Sequence, residues 1–280
     1  MAQSNVAPPE ARAPDLQLGV ASAAYGLLAP LFLRIRTGEG ALLGIAASLL
    51  WFSGAAPLPA VVDMACCLLV MVQMYAHNDM TDARADLDNP RKDARLSKLL
   101  VGHAGFFHGA SAALALLSAL LTTAAMGPRS GVFALAVMAC NAAYSRWFKP
   151  VPVLDFVAVG VWGGLFAGML TDRPQLVLGV VLMTASSHVF QTLLDRKVDR
   201  RAGILTTGAR SVPLSLACIS GLSIALTSWA WPITGPAIAL CGLGPMAAAL
   251  AVRGPAAAWL VAKAAFAVVW LSVLLQLRGH

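Results

Sequence analysis

The chain has 280 residues, of which 59% are hydrophobic and 12% charged, with a formal net charge of +7. Soluble domains carry about 25% charged residues, so a composition this apolar weighs against a water-soluble protein and for a lipid environment. The positive excess is not interleaved with aromatic residues on one domain face, which argues against a nucleic-acid partner.

The opening residues, MAQSNVAPPEARAPDLQ, are polar and rich in Pro and Ala. They lack the basic start and apolar core of a signal peptide. Residues 1–15 are expected to form a disordered tail, with a single transmembrane domain over 16–280. Segment 16–36 admits two readings, an interfacial amphipathic helix or a shallow extension of the first span.

A spanning helix needs about 20 mostly apolar residues. Nine candidates follow, at roughly 38–57, 58–77, 103–126, 130–147, 152–171, 174–194, 211–231, 233–251 and 255–278. Pro57 and Pro59, Gly127-Pro128, Lys149-Pro150, Asp172-Arg173-Pro174 and Arg253-Gly254-Pro255 separate them. The expected fold is an all-α membrane protein, a bundle of nine transmembrane helices around a central cavity.

Charge sets the expected orientation. With the N-terminus inside, 16 of the 20 Lys and Arg residues fall on the inner side. Arg129, Arg173 and Arg278 fall outside, and Lys263 lies within the ninth span, where it is expected to snorkel to the inner face. This puts the C-terminus outside and implies a cytoplasmic membrane with the chemistry open to the cytoplasm. The positive charge is thus a topology signal. Cys66, Cys67, Cys140, Cys218 and Cys241 all lie in apolar runs and read as buried free thiols.

Two segments on the inner side carry acids as well as bases. After the second span come Asn78, Asp79, Asp82 and Asp86. On a helix, Asn78, Asp82 and Asp86 would share one face with neighbours about 5–6 Å apart, an arrangement that costs stability unless a cation binds there. Hard divalent ions such as Mg²⁺ take oxygen ligands, typically one or two carboxylates plus substrate phosphates. After the sixth span, Asp195 and Asp199 lie one turn apart, interleaved with Arg196, Lys197, Arg200 and Arg201. Cations there would neutralise remaining phosphate charge. Of the 13 acids in the chain, eight sit in these segments or the neighbouring inner loop: Asp79, Asp82, Asp86, Asp88, Asp93, Asp155, Asp195 and Asp199. Two clusters on one side of the membrane can converge on one diphosphate.

These motifs resemble those of the UbiA superfamily of intramembrane prenyltransferases. The N-D-x-x-D-x-x-x-D motif is matched by Asn78, Asp79, Asp82 and Asp86. The D-x-x-x-D motif is matched by Asp195 and Asp199, with Gly203 and Thr206 or Thr207 following. A Y-S…R/K…L-L-D segment is matched by Tyr144-Ser145-Arg146, Lys149 and Leu154-Asp155. The family's R-P-[IL]-x-x-G stretch is replaced here by Arg95-Leu96-Ser97-Lys98-Leu99.

The resemblance implies Mg²⁺-dependent transfer of an isoprenoid chain from a polyprenyl diphosphate to a small-molecule acceptor in the bilayer, through ionisation of the allylic diphosphate. It implies two Mg²⁺ ions held by Asn78, Asp79, Asp82, Asp86, Asp195 and Asp199, with Asp82, Asp195 and Lys149 central to catalysis. Asn78, Arg84, Arg146, Lys149, Lys197 and Arg200 would contact the diphosphate. Tyr75, Tyr144, His188 and Gln191 would line the prenyl or acceptor pocket, and Phe106, Phe107, Trp147, Phe148 and Phe190 are further aromatic candidates to shield a cation. A terpene cyclase of the same superfamily, with no external acceptor, remains the alternative. A CDP-alcohol phosphotransferase would need an Asp-Gly pair that Asp82-Ala83-Arg84 lacks. A transporter would place its acids near the bilayer midplane rather than at span ends.

Overall fold

The computed structural model describes residues 18–36, 40–89 and 92–278. The expected tail, residues 1–15, lies outside them. Among the described residues all regular structure is helical. In chain order these are α1 (Val20–Arg36), α2 (Ala41–Ser53), α3 (Pro57–Asp82), a 3₁₀ turn (Ala85–Asp88), α4 (Ala94–Gly102) and α5 (Ala104–Met126). Then come α6 (Pro128–Ala143), running on into a π turn (Tyr144–Phe148), α7 (Leu154–Leu170), α8 (Pro174–Arg201) and α9 (Thr207–Arg210). The chain finishes with α10 (Val212–Thr234), α11 (Pro236–Ala239), a 3₁₀ turn (Leu240–Leu243), α12 (Gly244–Ala251) and α13 (Pro255–Arg278). Prolines open α3, α6 and α8, where the missing N–H has no partner to lose.

Five helices are long and apolar enough to cross a bilayer: α3, α5, α8, α10 and α13. They mark the chain as an integral membrane protein. The expected first span, 38–57, is instead the 13-residue α2, stopped by Gly54 in the left-handed region at φ 68°. At 1.5 Å per residue it is about 20 Å long, short of the roughly 30 Å hydrocarbon core. The expected eighth span, 233–251, begins only at Pro236, after Gly235 ends α10, and runs as α11, a 3₁₀ turn and α12, with Pro245 in the first turn of α12. Two helices run further than expected. α3 passes residue 77 to Asp82 and α8 passes 194 to Arg201, because neither acidic motif contains a glycine or proline to stop it.

Segment 16–36 forms the separate helix α1, which packs on α3, α4 and α5. The close approach to α5 requires Gly26, since a Cβ there would lie 2.3 Å from the Phe107 ring. Around the bundle α3, α5, α6, α7, α8 and α10 pack in succession, and α13 closes against α8, α10 and α2. α8 has 61% of its apolar window buried and α5 only 22%, which makes α8 an inner wall and α5 an outer one. All five cysteines are free, with Cys66 and Cys67 buried.

Candidate functional site

A cavity of about 1120 Å³ opens between α1, α2, α3, α8 and α13. Asn78, Asp79, Asp82, Asp86, Lys149, Asp195 and Asp199 line it where α3, the π turn and α8 end, and Trp162, Trp259, Phe266 and Trp270 line it further along α7 and α13. Every metal-ligand candidate read from the sequence therefore faces one space. The stacked-helix picture needs one change: Asn78, Asp79 and Asp82 lie on the last turns of α3, while Asp86 follows in the 3₁₀ turn.

Three cations hold the first motif. Arg34 donates to Asp79 at 2.8 Å, and Lys92 lies 3.6 Å from Asp79 and 3.4 Å from Asp86. Lys149 pairs with Asp82. Burial opposes the Lys92 charge, but Asp79 and then Asp86 outweigh it and hold the ammonium pKa above its ordinary value. On the opposite wall, Gly203 at φ 73° turns the chain after α8, so that the Thr206 hydroxyl donates to Asp199 at 2.8 Å.

Asp155 does not line the cavity. It is fully buried and accepts from the Thr207 backbone N–H at 2.7 Å and from the Thr207 hydroxyl, tying α7 to α9.

Tyr75, Tyr144, His188 and Gln191 all line the cavity. Tyr144 Oη and His188 Nε2 are 3.3 Å apart, and Arg34 stacks 4.8 Å over the Tyr75 ring. Of the other aromatic candidates, Phe106 and Trp147 are exposed, Phe107 packs beneath α1, and Phe190 stacks on Trp259 at 5.5 Å.

Four cations expected at the diphosphate do not line the cavity: Arg84, Arg146, Lys197 and Arg200 are all exposed. Helical periodicity explains Lys197, which is two residues, about 200°, round the helix from Asp195. Arg200 instead donates to the carbonyl oxygens of Ala209 and Arg210, and Arg146 stacks on Trp147. At the acidic end of the cavity the positive charge comes from Arg34 and Lys92 as well as the expected Lys149.

The sequence motifs marked Arg34 and Lys92 only as inner-side charges, not as site residues, and gave no role to Trp162, Trp259, Phe266 and Trp270. The signal for most of the aromatic wall was present: Trp259, Lys263, Phe266 and Trp270 are spaced four, seven and eleven residues, one face of a helix. Lys263, expected at the membrane edge, lines the cavity with its ammonium 4.8 Å over Trp259.

Among the described residues no three His, Cys, Asp or Glu side chains are grouped closely enough to hold a metal alone. Mg²⁺ usually takes only one or two carboxylates and completes its six ligands with water and phosphate oxygens. Carboxylates presented in separate ones and twos to a shared space fit an ion bridged to a diphosphate rather than a protein cage.

No family model matches the chain. A solved digeranylgeranylglyceryl phosphate synthase superposes with a TM-score of 0.64 at 14% identity, covering 93% of this chain and 99% of that one. A UbiA homologue from Archaeoglobus fulgidus, solved bound to DMAPP and Mg²⁺, superposes at 0.60 and 17% identity over 90% and 99%. The chain has the UbiA fold. This supports the resemblance drawn from the motifs. Two curated relatives are named lycopene elongase/hydratase. The Haloarcula japonica protein is 34% identical over 148 residues, 49% of each chain. The Halobacterium salinarum protein is 31% identical over 180 residues, 59% of this chain and 62% of that one. These matches span about half to three-fifths of the relatives' length.

Proposed function

We propose that the chain is an intramembrane prenyltransferase that ionises an allylic prenyl diphosphate with Mg²⁺ and transfers the isoprenoid to an apolar alkene acceptor of the carotenoid class. The observation that carries this is the convergence of Asp79, Asp82 and Asp86 with Asp195 and Asp199 on one cavity whose far wall is aromatic. The names of the two sequence relatives support the acceptor class. A single domain over 16–280, nine membrane crossings, an inside N-terminus and a cytoplasmic opening belong to the same reading, supported by the 16-to-3 split of Lys and Arg.

Asn78, Asp79, Asp82 and Asp86 would hold metal on one wall, with Asp195 and Asp199 on the other. Bound Mg²⁺ supplies Lewis-acid stabilisation of the charge that builds on the leaving diphosphate. Lys149, Lys92 and Arg34, which neutralise these acids without substrate, would turn to the phosphate oxygens once the acids have other partners. Trp162, Trp259, Phe266 and Trp270 would keep bulk water from the isoprenoid and present ring faces to an allylic cation.

The test is transfer in liposomes with labelled dimethylallyl diphosphate, Mg²⁺ and lycopene as acceptor. The proposal expects an acceptor-derived product five carbons longer. A cyclic product made from a longer donor alone would establish the cyclase alternative in its place.

A further inference from the structure

The two long walls of the cavity differ in chemistry. α13 presents Trp259, Phe266 and Trp270, whereas α8 presents Thr184, Ser187, His188, Gln191 and Asp195. Those five α8 positions recur at helical spacing, so they form one continuous polar stripe from the carboxylates into the cavity. Thr184 returns its hydroxyl to the Val180 carbonyl at 2.7 Å, while Ser187 and His188 face the space itself. Opposite the stripe, Tyr144 Oη meets His188 Nε2 at 3.3 Å, with the rings edge to face at 5.5 Å. A chamber that only had to exclude water from a carbocation would not need this stripe. A polar face with room beside it is where an ordered water is held.

We propose that the α8 stripe holds a water, and that the Tyr144–His188 pair takes its proton as the water adds to the acceptor and ends the reaction. This rests on the alkene-acceptor reading above. The donor C1–O bond breaks, and its electron pair leaves with the diphosphate. The acceptor C=C pair forms the new C–C bond, leaving a cation on the neighbouring acceptor carbon. A water lone pair forms the C–O bond there. The water's proton passes to Tyr144 Oη as the phenol's own proton passes to His188 Nε2, giving an imidazolium. The product is a prenylated tertiary alcohol, and no oxidant or reductant is consumed. Tyr144 and His188 are thus the groups that move the terminating proton, and Ser187 positions the water.

The test is the same liposome reaction, with dimethylallyl diphosphate and lycopene, run in ¹⁸O-water. Wild type should give a product with one ¹⁸O, and the ratio of alcohol to the dehydrated alkene should fall at least tenfold in Tyr144→Phe and His188→Gln. Ser187→Ala, which removes only a cavity-facing hydroxyl, should shift the ratio the same way by several-fold. Loss of both products together at constant ratio in all three variants would mean a merely structural role and overturn the proposal. Wild-type product without ¹⁸O would overturn it while leaving prenyl transfer standing. Wild type that forms no prenylated product at all would overturn both.

Discussion

Lys149 pairs with Asp82 across an offset of 67 residues, and Ser145 with Asn78 and Asn141 with the Met74 carbonyl keep that same offset. α3 and α6 therefore run in parallel and in register as they approach the acidic end. The π turn Tyr144–Phe148 lies within that run. A π turn re-aims side chains without ending the helix, a device found frequently at functional sites. Here it lets Lys149 reach Asp82 while Tyr144 faces His188.

Removing the Lys149 charge should lower turnover more than changing the shape of the cation. Lys149→Gln is expected to reduce prenyl transfer by about 10²-fold or more, the size seen when one charge-stabilising donor is lost. Lys149→Arg should retain more of it. Steady-state rates at saturating donor check this, and equal losses in the two variants would count against a charge role.

Asp155 is a structural tie. Asp155→Asn would point an amide donor at the Thr207 donors, leaving buried N–H or O–H groups without acceptors. The expected cost is about 2–3 kcal/mol, read as a lower Tm in detergent. Thr207→Val should lower Tm too, by less, because the backbone N–H of residue 207 still reaches the carboxylate.

Val153 sits at φ 73°, which a β-branched residue adopts only under strain, and its N–H donates to Thr207 Oγ1 at 2.8 Å. The residue is 39% exposed, so little packing is lost on removing its side chain. Val153→Gly should therefore stabilise the fold by about 1 kcal/mol. A fall in Tm would contradict this.

Acid should loosen α1 from α4. The Tyr25 hydroxyl donates to Asp93 at 2.6 Å and, with the Leu96 and Arg95 amides, holds that carboxyl below the usual aspartate range. A depressed carboxyl pKa contributes stability that is present above its unfolded value, about 3.9, and is lost as pH falls through the folded value. Tyr25→Phe should lower Tm at neutral pH, and the gap from wild type should shrink below about pH 4. A gap that does not change with pH would place the effect in packing instead.

Much of the site was legible because charge is rare in this chain. Asn78, Asp79, Asp82, Asp86, Asp195 and Asp199 stand out against apolar spans, and all six reach one cavity. The cationic partners were harder to read, since a basic residue near a span end can serve topology or chemistry equally. Arg84, Arg146, Lys197 and Arg200 are adjacent to the acids in sequence yet turned away from them, while Arg34 arrives from 45 residues off. Only the packing of α1 on α3 selects it. The aromatic wall was legible only as one helix face, because Trp and Phe spaced along a span look the same whether that face meets lipid or a cavity. Span boundaries failed where hydropathy and helix-breaking diverge, as in α3 and α8, which continue as helix well after the apolar stretch has ended.

In the proposed site the two acidic walls act on one diphosphate. The most direct test of this is Mg²⁺-dependent release of inorganic diphosphate from dimethylallyl diphosphate by wild type, Asp82→Asn and Asp195→Asn in liposomes with lycopene present. Wild type should release diphosphate in a reaction that EDTA abolishes, and each variant should lose at least about 10²-fold of that rate. Release that persists at wild-type rates in either variant would contradict it.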